Sequence, residues 1–322
     1  MAVSTYPTMT GGITATTDAV FIPEIWSDEI LVSRESNLVA GKLFDRVDHK
    51  GKAGDTIHFP LLSDFTARDY VQLAGVEIQN ITEGEKTISL DKYKDVSWIE
   101  SDLAQLQRKD SYKLRSRRIE KAGYALAKAI DTDIMALYSG LGVGYQVVGG
   151  NGTTAWDPTA DANAGNGSDI TDAGILAMVR KLDDNEVPNE GRFMIIPPCQ
   201  KQVLLGIDKF VLYQNTNRTK ELSMGMFGEI YGFKIYVSTN CPSLNATDAA
   251  TAYRVGIYAH KTAFAIAMQK DVTTKSQYKQ EYKGDLISCD CVYGVKAMRV
   301  DATDVSASNY RLSHAVAFFV PA

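Results

Sequence analysis

Residues 54–71 read GDTIHFPLLSDFTARDYV and residues 87–103 read TISLDKYKDVSWIESDL. Both stretches are rich in Thr, Ile, Val and aromatic residues. They alternate in places, most cleanly at Thr87-Ile88-Ser89-Leu90, as half-exposed strands do. The second arm runs over about 76–98, and a polar tip from Ala67 to Gly75 separates the two. The pattern predicts a long two-stranded ribbon. A lone ribbon is marginal in water, so this one needs a surface to pack on. Its place beside a long helix points to contact between subunits, and an internal hairpin of an α+β domain is the alternative.

That helix is expected between about Ser111 and Ser139. Ile119, Ala122, Leu126, Ile130, Ile134 and Leu137 recur at steps of three or four and draw one apolar stripe. Ser111 is the expected N-cap and Gly140 the expected stop. A glycine-rich segment from Gly140 to Asp169 follows and reads as a loop without structure of its own. Beyond it, Ile175, Val179 and Leu182 predict a helix from about Thr171 to before Pro188. Phe193 to Ile196 predicts a short strand ended by Pro197-Pro198. In 227–237 (FGEIYGFKIYV) a Tyr-Gly turn precedes a strand with Phe233, Ile235 and Val237 on one side. Further strands are expected at 253–258, 265–268, 286–293 and 295–300, which makes the last third an antiparallel α+β lobe.

Composition sets the class. The chain has 322 residues, 45% of them hydrophobic and 23% charged, with net charge −5, as in ordinary globular proteins. No global basic excess drives it onto nucleic acid or an anionic membrane. Its apolar stretches, such as 263–268 and 315–322, are far shorter than a bilayer span. Residues 1–20 hold six threonines and a Gly-Gly pair without a basic n-region, which reads as a loosely ordered arm instead of a signal peptide. Four cysteines (Cys199, Cys241, Cys289, Cys291) are too few for a disulfide framework and fit a reducing compartment.

Catalytic signatures are missing. There is no GxxxxGK[ST] loop and no HExxH, and Gly140, Gly142 and Gly144 follow a helix where a phosphate loop would precede one. His49, His58, His260 and His314 lack ligand spacing. Cys289 and Cys291 share a strand face but make only half a zinc site, so they read as small buried side chains. Asp183-Asp184-Asn185-Glu186 reads as a solvated helix end, not a metal loop. No catalytic residue, metal or cofactor is expected. The notable charge lies in 108–121, where Arg108, Lys109, Lys113, Arg115, Arg117, Arg118 and Lys121 face only Asp110 and Glu120. Lys113, Arg117 and Lys121 line one helical face. Either this is a solvated helix start, or it meets phosphates or an acidic partner without sequence preference. Residues 1–33 carry only acidic charges (Asp18, Glu24, Asp28, Glu29) and are one such partner.

The order of parts, an arm, a ribbon, a long helix and a compact lobe, resembles a tailed-phage major capsid protein of the Hong Kong 97 type. The two ribbon stretches look like that family's extended loop and its entry into the spine helix. VPNEGRFMIIPPCQKQVLL (187–205) looks like the start of its axial domain, and FGEIYGFKIYVSTNCP (227–242), IYAHKTAFAIAMQ (257–269) and VYGVKAMR (292–299) like the segments that follow. The resemblance implies an N-terminal arm over 1–50, the extended loop and its entry over 51–98, and the spine helix of a peripheral domain over 99–145. It implies a mainly axial domain over 146–260, then return strands and the C-terminus over 261–322. It further implies a non-enzymatic subunit of pentamers and hexamers in an icosahedral shell around double-stranded DNA, assembled in the host cytoplasm. Itself, scaffolding, portal and cement proteins are the implied partners, and no membrane is. The loop from Ser63 to Glu85 has no lysine, so its implied intersubunit contacts are noncovalent, with Arg68, Asp69 and Tyr70 at the tip. Lys113, Arg117 and Lys121 would face packaged DNA or a scaffold. The alternatives are an encapsulin-like nanocompartment shell protein and an unrecognised α+β enzyme.

Overall fold

The computed structural model describes residues 38–48, 54–62, 65, 67–69, 78–80, 83–107, 114–157, 166–207, 226–245, 252–299 and 313–322. Residues 1–37 of the expected arm, Tyr70 at the ribbon tip, and Ser111 and Lys113 at the helix start lie outside them.

The first three strands show how the ribbon is built. After a short helix α1 (Ala40–Leu43) and strand β1 (Asp45–Asp48), β2 (Thr56–Leu62) pairs antiparallel with β3 (Glu83–Ser89), Thr56 opposite Ser89. The alternating Ile88 and Leu90 turn inward and bury against Ala265 and Ala267. The second arm is shorter than the alternation predicts. It breaks at Leu90-Asp91, and β4 (Lys92–Ser101) joins a different sheet. Ile88 and Leu90 anchor the ribbon base, so the next residues are free to pair elsewhere.

That second sheet has the order β1-β11-β12-β4 and contains the two longest described strands, β11 (Phe264–Lys279) and β12 (Gly284–Ala297). β12 is one continuous strand where two were expected. Gly294 does not interrupt it. A Cβ at Gly294 would stand 2.1 Å from the carbonyl oxygen of Ser89, so the glycine lets the ribbon base cross close to the sheet. β11 runs far past the expected Met268, and its distal half is mostly exposed.

After a one-and-a-half-turn helix α2 (Asp102–Gln107), helix α3 (Leu114–Met135) covers one face of this sheet. Its 22 residues are about 33 Å long. Ala122, Leu126 and Ile134 of the expected stripe are buried, as is Met135. The α-helix ends earlier than Ser139, because residues 136–140 tighten into a 3₁₀ turn closed by Leu141 N–H onto the Tyr138 carbonyl.

The segment after Gly140 is a correction, since it is not structureless. A 3₁₀ turn (Val143–Tyr145) leads into β5 (Gln146–Val148), and Trp156 stacks on Phe319 at 4.6 Å. The rest of the lobe keeps the expected helix and strands, adds elements that were not expected, and pairs Arg192–Ile196 parallel with Phe233–Val237 where antiparallel pairs were expected. Helix α4 (Asp172–Asp184) starts at Thr171, whose hydroxyl accepts from Gly174 N–H. Strand β6 (Arg192–Ile196) leads into α5 (Pro198–Leu205). Strands β7 (Met226–Ile230) and β8 (Phe233–Val237) are joined by Tyr231 and Gly232 with φ of 49° and 80°, a tight hairpin turn. Strands β9 (Ser243–Asn245) and β10 (Ala252–His260) follow.

The last strand, β13 (Ala315–Pro321), is the apolar stretch first noted only for its shortness. It pairs antiparallel with β10 and parallel with β5, inside a sheet ordered β5-β13-β10-β6-β8-β7. Alternate residues serve two cores. Ile257, Phe193 and Phe319 join the core shared with α3, while Tyr258, Met194 and Phe318 join the core under α4.

Candidate assembly surface

The four-stranded sheet has two unlike faces. Even-numbered residues of β4 turn toward α3 and odd-numbered ones away, so Trp98 and Glu100 are inward while Tyr93 and Ile99 are exposed. Ile99 continues into Leu103 and Leu106 of α2, three residues apart on one side and strongly exposed, with Tyr282 at the β11–β12 turn. A second exposed apolar pair, Phe65 and Ile78, lies at the ribbon tip. Arg68 and Asp69 are exposed there too. The sequence pattern singled out none of these apolar residues, although Ile99, Leu103 and Leu106 recur at steps of four and three.

The basic stretch divides between fold and surface. Arg118 Nη1 lies 2.6 Å from Glu100 Oε1, and Arg115 Nη1 3.3 Å from Asp285 Oδ2. Glu100 is buried, so its pair with Arg118 offsets a desolvated charge and locks α3 onto β4. Arg117 is exposed and Lys121 partly so. The structure thus separates two arginines that serve the fold from the Arg117 and Lys121 side of the helix.

Two polar clusters were invisible in the sequence. On the open face of the sheet, Asp290 accepts from Tyr93 Oη at 2.9 Å and Thr273 Oγ1 at 2.8 Å, and pairs with Lys270. Lys270 and the two hydroxyls hold its carboxyl down at about 2, against the opposing effect of burial. In the other sheet, Thr262 Oγ1 lies 2.8 Å from His260 Nδ1 and 3.0 Å from His314 Nδ1, and His260 Nε2 is 2.9 Å from the Glu190 carbonyl. These partners fit a neutral His260 donating from Nε2 and accepting the threonine hydroxyl at Nδ1. Burial, then Arg299, pushes His314 down to about 4, and burial lowers His260 as well.

The remaining candidates are structural. Cys289 and Cys291 are buried in β12, and burial pushes Cys241 up to about 12, far from a reactive thiolate. Asp183 pairs with buried Arg192 at 2.7 Å, and Asn185 donates to the Ser313 carbonyl, so this helix end is stitched into the lobe instead of merely solvated. Among the described residues no group of His, Cys, Asp and Glu has the arrangement of a metal site, and no described helix is long and apolar enough to cross a membrane.

Comparison with known proteins gives a consistent result. Residues 84–305 match the family described as phage capsid protein. No curated protein matches the sequence. Among solved structures, a capsid of cyanophage P-SCSP1u aligns at TM-score 0.67 and 16% identity, covering 99% of each chain. A Mycobacterium phage Che8 structure aligns at TM-score 0.63 and 22% identity, covering 92% of this chain and 97% of that one. A capsid of Ralstonia phage GP4 aligns at TM-score 0.63 and 14% identity over 99% and 98% of the two chains. At these identities the likeness is one of fold.

Proposed function

The chain belongs to the phage capsid protein family, and from that premise we propose how it builds its shell. It is a major capsid protein with the Hong Kong 97-type fold, a structural subunit of the virion that assembles with copies of itself. Beyond this, our reading is that the copies form pentamers and hexamers of an icosahedral shell around double-stranded DNA. In this reading they assemble in the host cytoplasm with scaffolding, portal and cement proteins, and the subunit has no catalytic role of its own.

One observation carries the reading. Phe65 and Ile78 toward the ribbon tip, and Ile99, Leu103 and Leu106 at the end of β4 and in α2, are exposed apolar side chains in two places on one chain. Such patches are covered when copies assemble. In this reading residues 1–50 form the arm, 51–98 the extended loop, 99–145 the spine helix, 146–260 mainly the axial domain, and 261–322 the return strands. Arg68, Asp69 and Tyr70 contact a neighbouring subunit. Lys113, Arg117 and Lys121 face the interior, where phosphate contacts would be nonspecific and salt-sensitive.

Electron microscopy of the purified protein tests the reading. Closed shells of one diameter are expected. Monomers alone, in the presence of the other virion proteins, would overturn it.

A further inference from the structure

Where α1 and β1 lie against α3 and β11, the fold leaves a cleft of about 190 Å³. Ile130, Ile266 and Met268 form its apolar floor, and Lys42 and Arg46 stand at its rim. A cavity of about 150 Å³ holds a benzene ring, so this cleft takes one large aromatic side chain. Two carboxylates are already engaged here, Asp131 in the cleft lining and Asp271 beside it. Asp131 accepts from Gly41 N–H and from the Asn240 side chain, both at 3.0 Å, and Asp271 lies 2.7 Å from Arg46. About a quarter turn round α3 from the cleft, Lys128 and Arg117 are exposed and Lys121 partly so, a basic flank beside the line that carries Glu120 and Ala127.

The chemistry that fits is an acidic segment bearing aromatic anchors, and the chain holds one. Residues 18–30 read DAVFIPEIWSDEI, with four carboxylates (Asp18, Glu24, Asp28, Glu29) and the aromatics Phe21 and Trp26. The first basic residue is Arg34. Leu38, which lines the cleft, is joined to this segment by residues 31–37, a connector that spans up to about 24 Å. So short a tether gives an effective concentration in the millimolar range.

We propose that the cleft is the docking site of the chain's own segment 18–30, with Phe21 or Trp26 in the apolar floor and the carboxylates over Lys42 and the basic side of α3. The inference rests on the cleft and the two charge patterns, and not on the shell reading.

Hydrogen exchange of the full chain, read by mass spectrometry below its assembly concentration, tests it. Amides of 18–30 should exchange at least tenfold faster in Ala127→Trp, which fills the cleft, and in Lys42→Glu, with β12 amides unchanged. Adding Glu24→Lys to Lys42→Glu should restore part of the protection. If Ala127→Trp also loosens β12, the exposed Lys42→Glu variant decides alone. Equal exchange of 18–30 in wild type and Lys42→Glu would overturn the proposal. Protection that appears only at concentrations where copies associate would overturn it too, by assigning the cleft to a second copy's segment.

Discussion

The two larger sheets bury their strands in opposite ways. In the sheet ordered β5-β13-β10-β6-β8-β7, Ala315 through Val320 are fully buried, because cores lie on both faces. In the sheet ordered β1-β11-β12-β4, β4 alternates between a face under α3 and a face left open, and the distal half of β11 is largely exposed. The first sheet is held by apolar burial, which scales with the area removed from water. The second buries apolar side chains under α3 and adds pinned charges, Glu100 with Arg118 and Asp290 with Lys270.

The sharpest test of this contrast is Phe318→Ala in β13. Phe318 is fully buried, so the truncation should cost about 3–5 kcal/mol in denaturant unfolding. Leu106→Ala, on exposed α2, should stay within about 0.5 kcal/mol while slowing assembly. Comparable losses in both variants would erase the distinction.

Deleting residues 64–82 tests whether the ribbon tip belongs to the fold or to assembly. The deletion spares β2 and β3, so circular dichroism should show a folded lobe, and shells should be absent by microscopy. Loss of the dichroism signal would make the tip an internal element.

Acid should loosen the two sheets in different windows. His314 has its folded value near 4, below the ordinary 6.5, so stability present above pH 6.5 is lost as pH falls from 6.5 toward 4. Asp290 is held near 2, below the ordinary 3.8, so its contribution is intact above pH 4 and lost as pH falls from 4 to 2. Melting profiles of His314→Asn should flatten the upper window, and those of Asp290→Asn the lower one, with a drop of a few degrees at neutral pH for Asp290→Asn. The reverse assignment of windows would mean that other groups control the acid limb.

Arg117→Gln with Lys121→Gln should likewise change stability little. Exposed charges contribute roughly 0–1 kcal/mol each, so the melting temperature should barely move. DNA retention or scaffold-guided assembly should fall, and the deficit against wild type should shrink at higher salt, because fewer counterions are at stake. Shells that fill and hold DNA as the wild type does would leave these residues as a solvated face.

How much could be read in advance differs element by element. The stripe from Ala122 to Ile134 announced α3, Thr171 announced the start of α4, and the Tyr-Gly pair announced the turn before β8. All three are local signals, in which period, cap and turn chemistry lie within one stretch of chain. The run AVAFFV at 315–320 gave no such signal. A strand buried on both faces loses its alternation and keeps only its hydrophobicity. β11 was underestimated for the opposite reason, because its polar distal half is specified by pairing with β12 and not by burial.

The sequence by itself determined the elements whose cause is local, and the order of parts that resembles a capsid subunit. Tertiary structure decided where charge goes. Carboxylates read as surface residues until the fold places Asp290 against Tyr93, 197 positions away, and Asp285 against Arg115, 170 away. It also decided that the ribbon's second arm breaks after Leu90, since β4 follows the pairing offered by β12. The physical reason is the same in each case. A buried charge or a shared strand is stabilised by a partner far off in the chain, and no local pattern records that partner.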